Sequence, residues 1–128
     1  MEITNPMQRD RITIAILALG GEGGGVLAEW IREVARANGY VAQGTSIAGV
    51  AQRTGSTVYY IELFREGAGG ANRPDPVLAT MPVPGDVDIV IASELMETGR
   101  AILRGFVTED RTTLIGSTHR VYAISEKS

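Results

Sequence analysis

The chain has 128 residues, 44% hydrophobic and 21% charged, with a formal net charge of -3. That length suits one domain able to remove roughly 65–70% of its unfolded surface from water. The composition excludes a disordered or membrane chain, the charge gives no reason to expect nucleic acid or an anionic membrane as partner, and the absence of cysteine excludes disulfides, thiol nucleophiles and thiolate-held iron–sulfur clusters.

Residues 1–10 read as a tail with neither the basic start nor the apolar run of a signal peptide, and a cytoplasmic location is expected. "RITIAILAL", residues 11–19, is an almost unbroken apolar run, the pattern of a central strand covered on both faces. Five glycines follow in the six positions 20–25. After them Leu27, Trp30, Ile31, Val34, Ala35 and Asn38 keep helical spacing, Glu29, Arg32, Glu33 and Arg36 hold the other side, and Gly39 is placed to stop the helix. A short strand near Tyr40–Gln43 then completes a candidate βαβ unit with a right-handed crossover. Thr45 or Ser46 is expected to cap one or two helical turns ended by Gly55, and "TVYYIELF", residues 57–64, is β-branched and aromatic enough for a strand.

Residues 65–86 hold all but one of the prolines and many small residues, and read as an irregular excursion, either mobile or docked on a partner. "VDIVIASE", residues 87–94, is a buried-type strand; "LMETGRAILRG" is a helix interrupted by Gly99; "TTLIGST" and "RVYAIS" are two short strands. The fold class expected is α/β: a three-layer, doubly wound, mainly parallel, Rossmann-like sheet. Ending on a strand without a covering helix, it reads as truncated at the C-terminus.

The glycine stretch fails two phosphate-binding patterns. Gly20 and Gly25 have P-loop spacing, but Val26 and Leu27 stand where Lys and Ser or Thr would meet phosphate and magnesium. Gly21 and Gly23 are followed by Val26 instead of the third dinucleotide glycine, and no acidic residue for a ribose ends the second strand. Two readings stay open. The glycines permit only a sharp strand-to-helix turn, or they let a backbone or an anionic group approach helix amides closely. Gln52, Arg53 and Thr54, between small residues before a strand, are either solvated or present the planar Arg53 fork to a carboxylate, phosphate or carbonyl.

Other residues suggest less. His119 is the only histidine, so no histidine cluster can hold a metal, and a surface or hydrogen-bonded place is expected for it. Asp86 and Asp88 should cap or face solvent. Glu94, at the end of a buried-type strand, is a weak site candidate. Trp30, Tyr59 and Tyr60 should be core or interface anchors. No residue is expected to act as acid, base or nucleophile.

"LGGEGGGVLAEWI" and "QGTSIAGVAQRTGSTVYYIEL" together resemble the small subunit of indolepyruvate ferredoxin oxidoreductase and, more loosely, the gamma subunit or domain of 2-oxoacid:ferredoxin oxidoreductases. Residues 11–128 would then be a gamma-type domain, incomplete because such subunits continue further. The resemblance implies a subunit without cluster or thiamine that supports oxidative decarboxylation of a 2-oxo acid to an acyl-coenzyme A by packing on a large subunit. That partner would carry the thiamine diphosphate and the iron–sulfur clusters, with ferredoxin and coenzyme A engaged by the complex. It implies substrate, coenzyme A or partner contacts at Gly21, Gly23, Gly24, Gln52, Arg53 and Thr54, with no nucleic acid, membrane or metal involved. The alternative is a free-standing nucleotide or acyl-coenzyme A binding module of Rossmann-like fold.

Overall fold

The apolar run of residues 11–19 forms β1 (Arg11–Leu19), and every residue from Ile12 onward is buried. A strand alternates its side chains between faces, so burial of all of them requires a cover on each. The computed structural model, which describes residues 11–48, 56–65 and 79–119, supplies both covers. On one face Ile12, Ile14, Ile16 and Ala18 of β1 pack with Ala28 and Ala35 of helix α1 (Gly24–Ala37) and with Ile61 and Leu63 of a later strand. On the other, Ala15 and Leu17 pack with Val58, Tyr60, Val90, Phe106 and Ala101, the last belonging to helix α2 (Leu95–Leu103). The expected three layers are present.

The remaining strands are β2 (Tyr40–Ala48), β3 (Ser56–Arg65), β4 (Ile89–Ala92) and β5 (Thr113–Gly116), in the sheet order β2-β3-β1-β4-β5. β4 is parallel to β1 and β5 to β4, whereas β3 runs antiparallel between β1 and β2. Four strands therefore point one way and β3 alone is reversed. This corrects one expectation, because β1 and β2 belong to a split βαβ unit and do not pair with each other. Nine register pairs on each side of β3, from Arg11↔Phe64 to Leu19↔Ser56 and from Tyr40↔Arg65 to Ala48↔Thr57, hold it in place.

The same pairing corrects the expectation that Thr45 or Ser46 caps a helical turn, since both continue β2, while the turns expected from there to Gly55 fall, beyond Ala48, outside the described residues. Isolated turns would satisfy few backbone groups, whereas the ladder satisfies them along the whole strand. The expected interruption of the second helix is absent too: α2 runs straight through Gly99, which has open space around it, and buried Ala101 anchors the helix to the sheet. Gly39, with φ of 83°, does end α1, its N–H donating to Arg36 O at 3.2 Å. Residues 79–86 carry no helix or strand, as expected of that part of the excursion; 66–78 and the strand expected in "RVYAIS" lie outside the described residues.

Crossovers β1-α1-β2 and β4-α2-β5 move in opposite directions along the sheet, so right-handed connections put α1 and α2 on opposite faces. The reversal falls between β1 and β4, and ligands of open α/β sheets bind outside the carboxyl ends of strands at such a switch point.

Candidate functional site at the switch point

β1 leaves the sheet at Leu19 and turns at once. Glu22 N–H donates to Leu19 O at 3.2 Å, Gly21 and Gly23 adopt φ of 82° and 80°, and α1 starts at Gly24. Positive φ is costly for residues with a Cβ, so these two glycines make the sharp turn possible. Among the described residues neither would meet another atom within 4 Å if a Cβ were added, so none of these closes the turn off.

Gly24 has a different task. A Cβ there would lie 2.6 Å from Ala18 Cβ and 2.7 Å from Tyr59 Cε2, so its missing side chain lets α1 settle on β1 and β3. The six proposed contact residues thus divide into exposed Gly21 and Gly23, buried Gly24, and Gln52, Arg53 and Thr54, which lie outside the described residues. β2 ends at Ala48 and β3 resumes at Ser56, which pairs with Leu19, so the chain leaves and re-enters the sheet beside the glycine turn.

The first turn of α1 has no acidic residue, and Gly23 offers no side-chain cap. Among the described residues no side chain caps its leading amides, and such amides with the positive end of the helix dipole suit a carboxylate, a phosphate or a carbonyl. Beside it, a pocket of about 190 Å³ is lined by Gly25, Glu29, Arg32, Ser46 and Tyr59 among others.

The second wall of the crevice comes from β4 and α2. Ser93 N–H donates to Leu17 O at 3.0 Å and Ser93 Oγ accepts from Leu19 N–H at 3.3 Å, tying the two strand ends together. Glu94 is buried and caps α2, its Oε1 accepting from Glu97 N–H at 2.9 Å. Arg100 pairs with buried Glu97 and donates to Ser56 Oγ at 3.3 Å. Burial raises the Glu97 carboxyl above its ordinary pKa against the opposing pull of Arg100, and the nearby Glu94 charge pushes the same way as burial. Sequence reasoning singled out Glu94 but missed Ser56, Ser93, Glu97 and Arg100. The Glu94/Glu97/Arg100 spacing along one helix face was the available sign.

Asp86 and Asp88 correct another expectation. Asp88 is buried, its Oδ2 accepting from Thr13 N–H at 2.9 Å and its Oδ1 from Arg111 Nε at 2.8 Å. Asp86 pairs with Arg111 at 2.7 Å and Arg11 at 3.1 Å. These bonds clamp the amino ends of β1 and β4, the edge away from the glycine turn. Tyr60 is core, Tyr59 half-buried over the start of α1, and Trp30 63% exposed. His119 is exposed, with its backbone O bonded to Leu95 N–H. Among the described residues no three His, Cys, Asp or Glu are grouped to hold a metal, and no helix is long and apolar enough to cross a membrane.

Fold and site together define a doubly wound α/β domain with an uncapped glycine turn at its switch point. Residues 13–126 match the family described as pyruvate ferredoxin/flavodoxin oxidoreductase, and the chain belongs to that family. Among solved structures it is similar to the PORC subunit of pyruvate oxidoreductase from Thermotoga maritima (TM-score 0.58, 19% identity, 89% of this chain and 53% of that one). It is also similar to 2-oxoglutarate:ferredoxin oxidoreductase from Magnetococcus marinus, solved with 2-oxoglutarate, coenzyme A and succinyl-CoA bound (TM-score 0.60, 12% identity, 89% of this chain and 18% of that one). At these identities the likeness is one of fold, and the chain spans about half of the first neighbour and under a fifth of the second. A comparison with curated proteins gave no match.

Proposed function

We propose that this chain is a gamma-type subunit or domain of a cytoplasmic 2-oxoacid:ferredoxin oxidoreductase, inactive alone, that packs its glycine-turn edge on the subunit bearing the thiamine diphosphate. The family match over residues 13–126 carries the reading, and the open turn at the switch point supports the choice of edge. Thiamine diphosphate supplies the decarboxylation chemistry and iron–sulfur clusters the electron path to ferredoxin. With no cysteine, this chain cannot hold such clusters by thiolates, so they belong to the partner in this reading. Gly21 and Gly23 admit a partner backbone or an anionic group of substrate or coenzyme A to the α1 amides. Gly24 seats the helix that presents them, and Gln52, Arg53 and Thr54 add polar contacts from the β2–β3 connection. The substrate is an arylpyruvate, with indolepyruvate first, since the motif wording is closest to that branch.

The test is co-expression with the large subunit and an assay of indolepyruvate-dependent dye reduction, with coenzyme A, for wild type and Arg53→Ala. Activity that needs both chains and falls with Arg53→Ala is expected. Activity indifferent to omission of this chain overturns the role. Coenzyme A binding to the isolated chain, without any association with the large subunit, would favour the free-standing acyl-coenzyme A module instead.

A further inference from the structure

Gly25, Ala28, Glu29 and Arg32 form one stripe of α1 at helical spacing, turned toward the β2 side of the sheet. On the sheet beneath, Gly44 and Ser46 of β2 stand in register with Ile61 and Tyr59 of β3, on the face that α1 covers. Between stripe and strands lies the pocket of about 190 Å³. Gly44 makes room for its principal side chain: a Cβ there would lie 3.0 Å from Arg32 Cδ and 3.3 Å from Arg32 Nε, so the missing side chain lets the guanidinium lie against β2.

Only one side of that guanidinium is engaged. Arg32 Nη1 donates to Glu29 Oε2 at 3.0 Å, whereas Nε is shut off from solvent and has no acceptor among the described residues. A buried donor left unmet costs free energy that an incoming acceptor recovers, and native chains keep few of them. Nε and Nη2 carry the parallel N–H bonds with which a planar guanidinium grips both oxygens of a carboxylate, and Glu29, on Nη1, leaves that pair open. The hydroxyls of Ser46 and Tyr59 belong to the same lining, and neither has a partner among the described residues.

We infer that this pocket binds a small monocarboxylate, held side-on by Arg32 Nε and Nη2, with the Ser46 and Tyr59 hydroxyls donating to its oxygens. The volume lies below the roughly 300–1,000 Å³ of common ligand pockets, which suits a molecule of a few atoms. Charge favours an anion over a neutral carbonyl of the chain itself, because two guanidinium groups, Arg32 at 3.0 Å and Arg36 at 3.7 Å, face the single Glu29 carboxylate. Glu29 also lines the pocket and repels a second negative charge, which selects a monocarboxylate over a phosphate dianion. The site is built from α1, β2 and β3 alone, so it is independent of any partner subunit and the full chain is the protein to test.

The probes are sodium acetate and sodium propionate, titrated at constant ionic strength into the isotope-labelled full chain and read from the Arg32 Nε–Hε signal and the Gly25 and Gly44 amide signals by NMR. A saturable shift common to them is expected. In Arg32→Lys, which keeps the charge and loses the parallel pair, the glycine signals should report binding at least about tenfold weaker. Ser46→Ala changes an exposed position, leaves the fold intact and should weaken binding about three- to tenfold. Arg36→Gln, outside the pocket, should weaken it less than about twofold, since an exposed charge is screened. A shift that never saturates, or one reduced as much by Arg36→Gln as by Arg32→Lys, means general charge attraction and overturns the inference. Tighter binding of phosphate than of either acid overturns the choice of a monocarboxylate. An Arg32 Nε–Hε proton already protected from exchange in the ligand-free chain and indifferent to both acids means that the chain fills the pocket itself, and overturns it as well.

Discussion

Gly24 of α1 and Tyr59 of β3 touch so closely that a methyl group on Gly24 would stand 2.7 Å from the Tyr59 ring, and 2.6 Å from Ala18 Cβ on its other flank. Ala18 is fixed to the backbone of β1 and cannot swing aside. Gly24→Ala should therefore lift α1 off the sheet and cost about 1–3 kcal/mol. Gly25→Ala, whose Cβ would sit 3.5 Å from the same ring in ordinary contact, should be near neutral. Urea unfolding of the two variants checks the contrast.

Gly21 and Gly23 make the complementary case. Among the described residues a Cβ at either meets nothing within 4 Å, so positive φ is the penalty on Gly21→Ala and Gly23→Ala, about 1–2 kcal/mol. In the assembly proposed above, the same methyl groups would face the partner or the anionic group at the α1 amides. The expected outcome is a fall of about tenfold or more in 2-oxoacid-dependent dye reduction, larger than the stability loss explains. Equal modest effects on stability and activity would remove the turn from the active complex's contacts.

The glycine turn was legible because strand, glycines and amphipathic helix succeed one another in local sequence. What surrounds it was not. β3 lies between β1 and β2 and pairs with both along its length, and apolar periodicity identifies a strand without naming its neighbour. Thr45 and Ser46 have weak preferences of their own, so the ladder to Tyr60 and Tyr59 decided them. Gly99 keeps its helix because the burial of Ala101 and Phe106 outweighs a local penalty of about 1 kcal/mol. Asp88 resembled a surface residue for want of any local hint that Thr13 and Arg111, 75 and 23 positions away, converge on it.

Gly99 offers a stabilising change. It lies in α2 at ordinary helical backbone angles, exposed, and a Cβ there meets nothing within 4 Å. Gly99→Ala should add about 0.5–1 kcal/mol by restricting the unfolded chain and favouring the helix. A higher denaturant midpoint with unchanged slope is the expected observation.

At the amino edge of the sheet, Glu62 is buried and accepts from Arg11 at 2.6 Å, from the Tyr60 hydroxyl at 2.5 Å and from Ala79 N–H at 3.0 Å. Burial works against the Arg11 charge, yet the hydrogen bonds to Glu62 and Asp86 outweigh it and its pKa is raised. Arg11→Ala would strand a buried carboxylate. Because Arg11 itself is partly exposed, the expected loss is roughly 2–3 kcal/mol, below that of a fully buried pair. Tyr60→Phe removes one donor of three and should cost nearer 1 kcal/mol. The two losses should not add in the double variant, since both act on the same carboxylate.

Glu97 supplies a dependence on pH of the opposite sense to ordinary acid unfolding. Its folded pKa is raised above 4.5, chiefly by burial, so the folded state prefers the protonated carboxyl more than the unfolded chain does. The associated stability is fully present below 4.5 and is lost as pH rises through the folded value. Glu97→Gln keeps the shape, removes the titration and leaves Arg100 an acceptor oxygen. Its stability relative to wild type should therefore climb as pH rises above 4.5 and level off once wild-type Glu97 is fully ionised. Parallel denaturant titrations of both proteins across that window give the difference directly. A difference that falls with rising pH would mean that Arg100 holds the carboxylate more strongly than burial opposes it, and would reverse the assignment of Glu97 as a carboxyl kept reluctant to ionise beside the switch point.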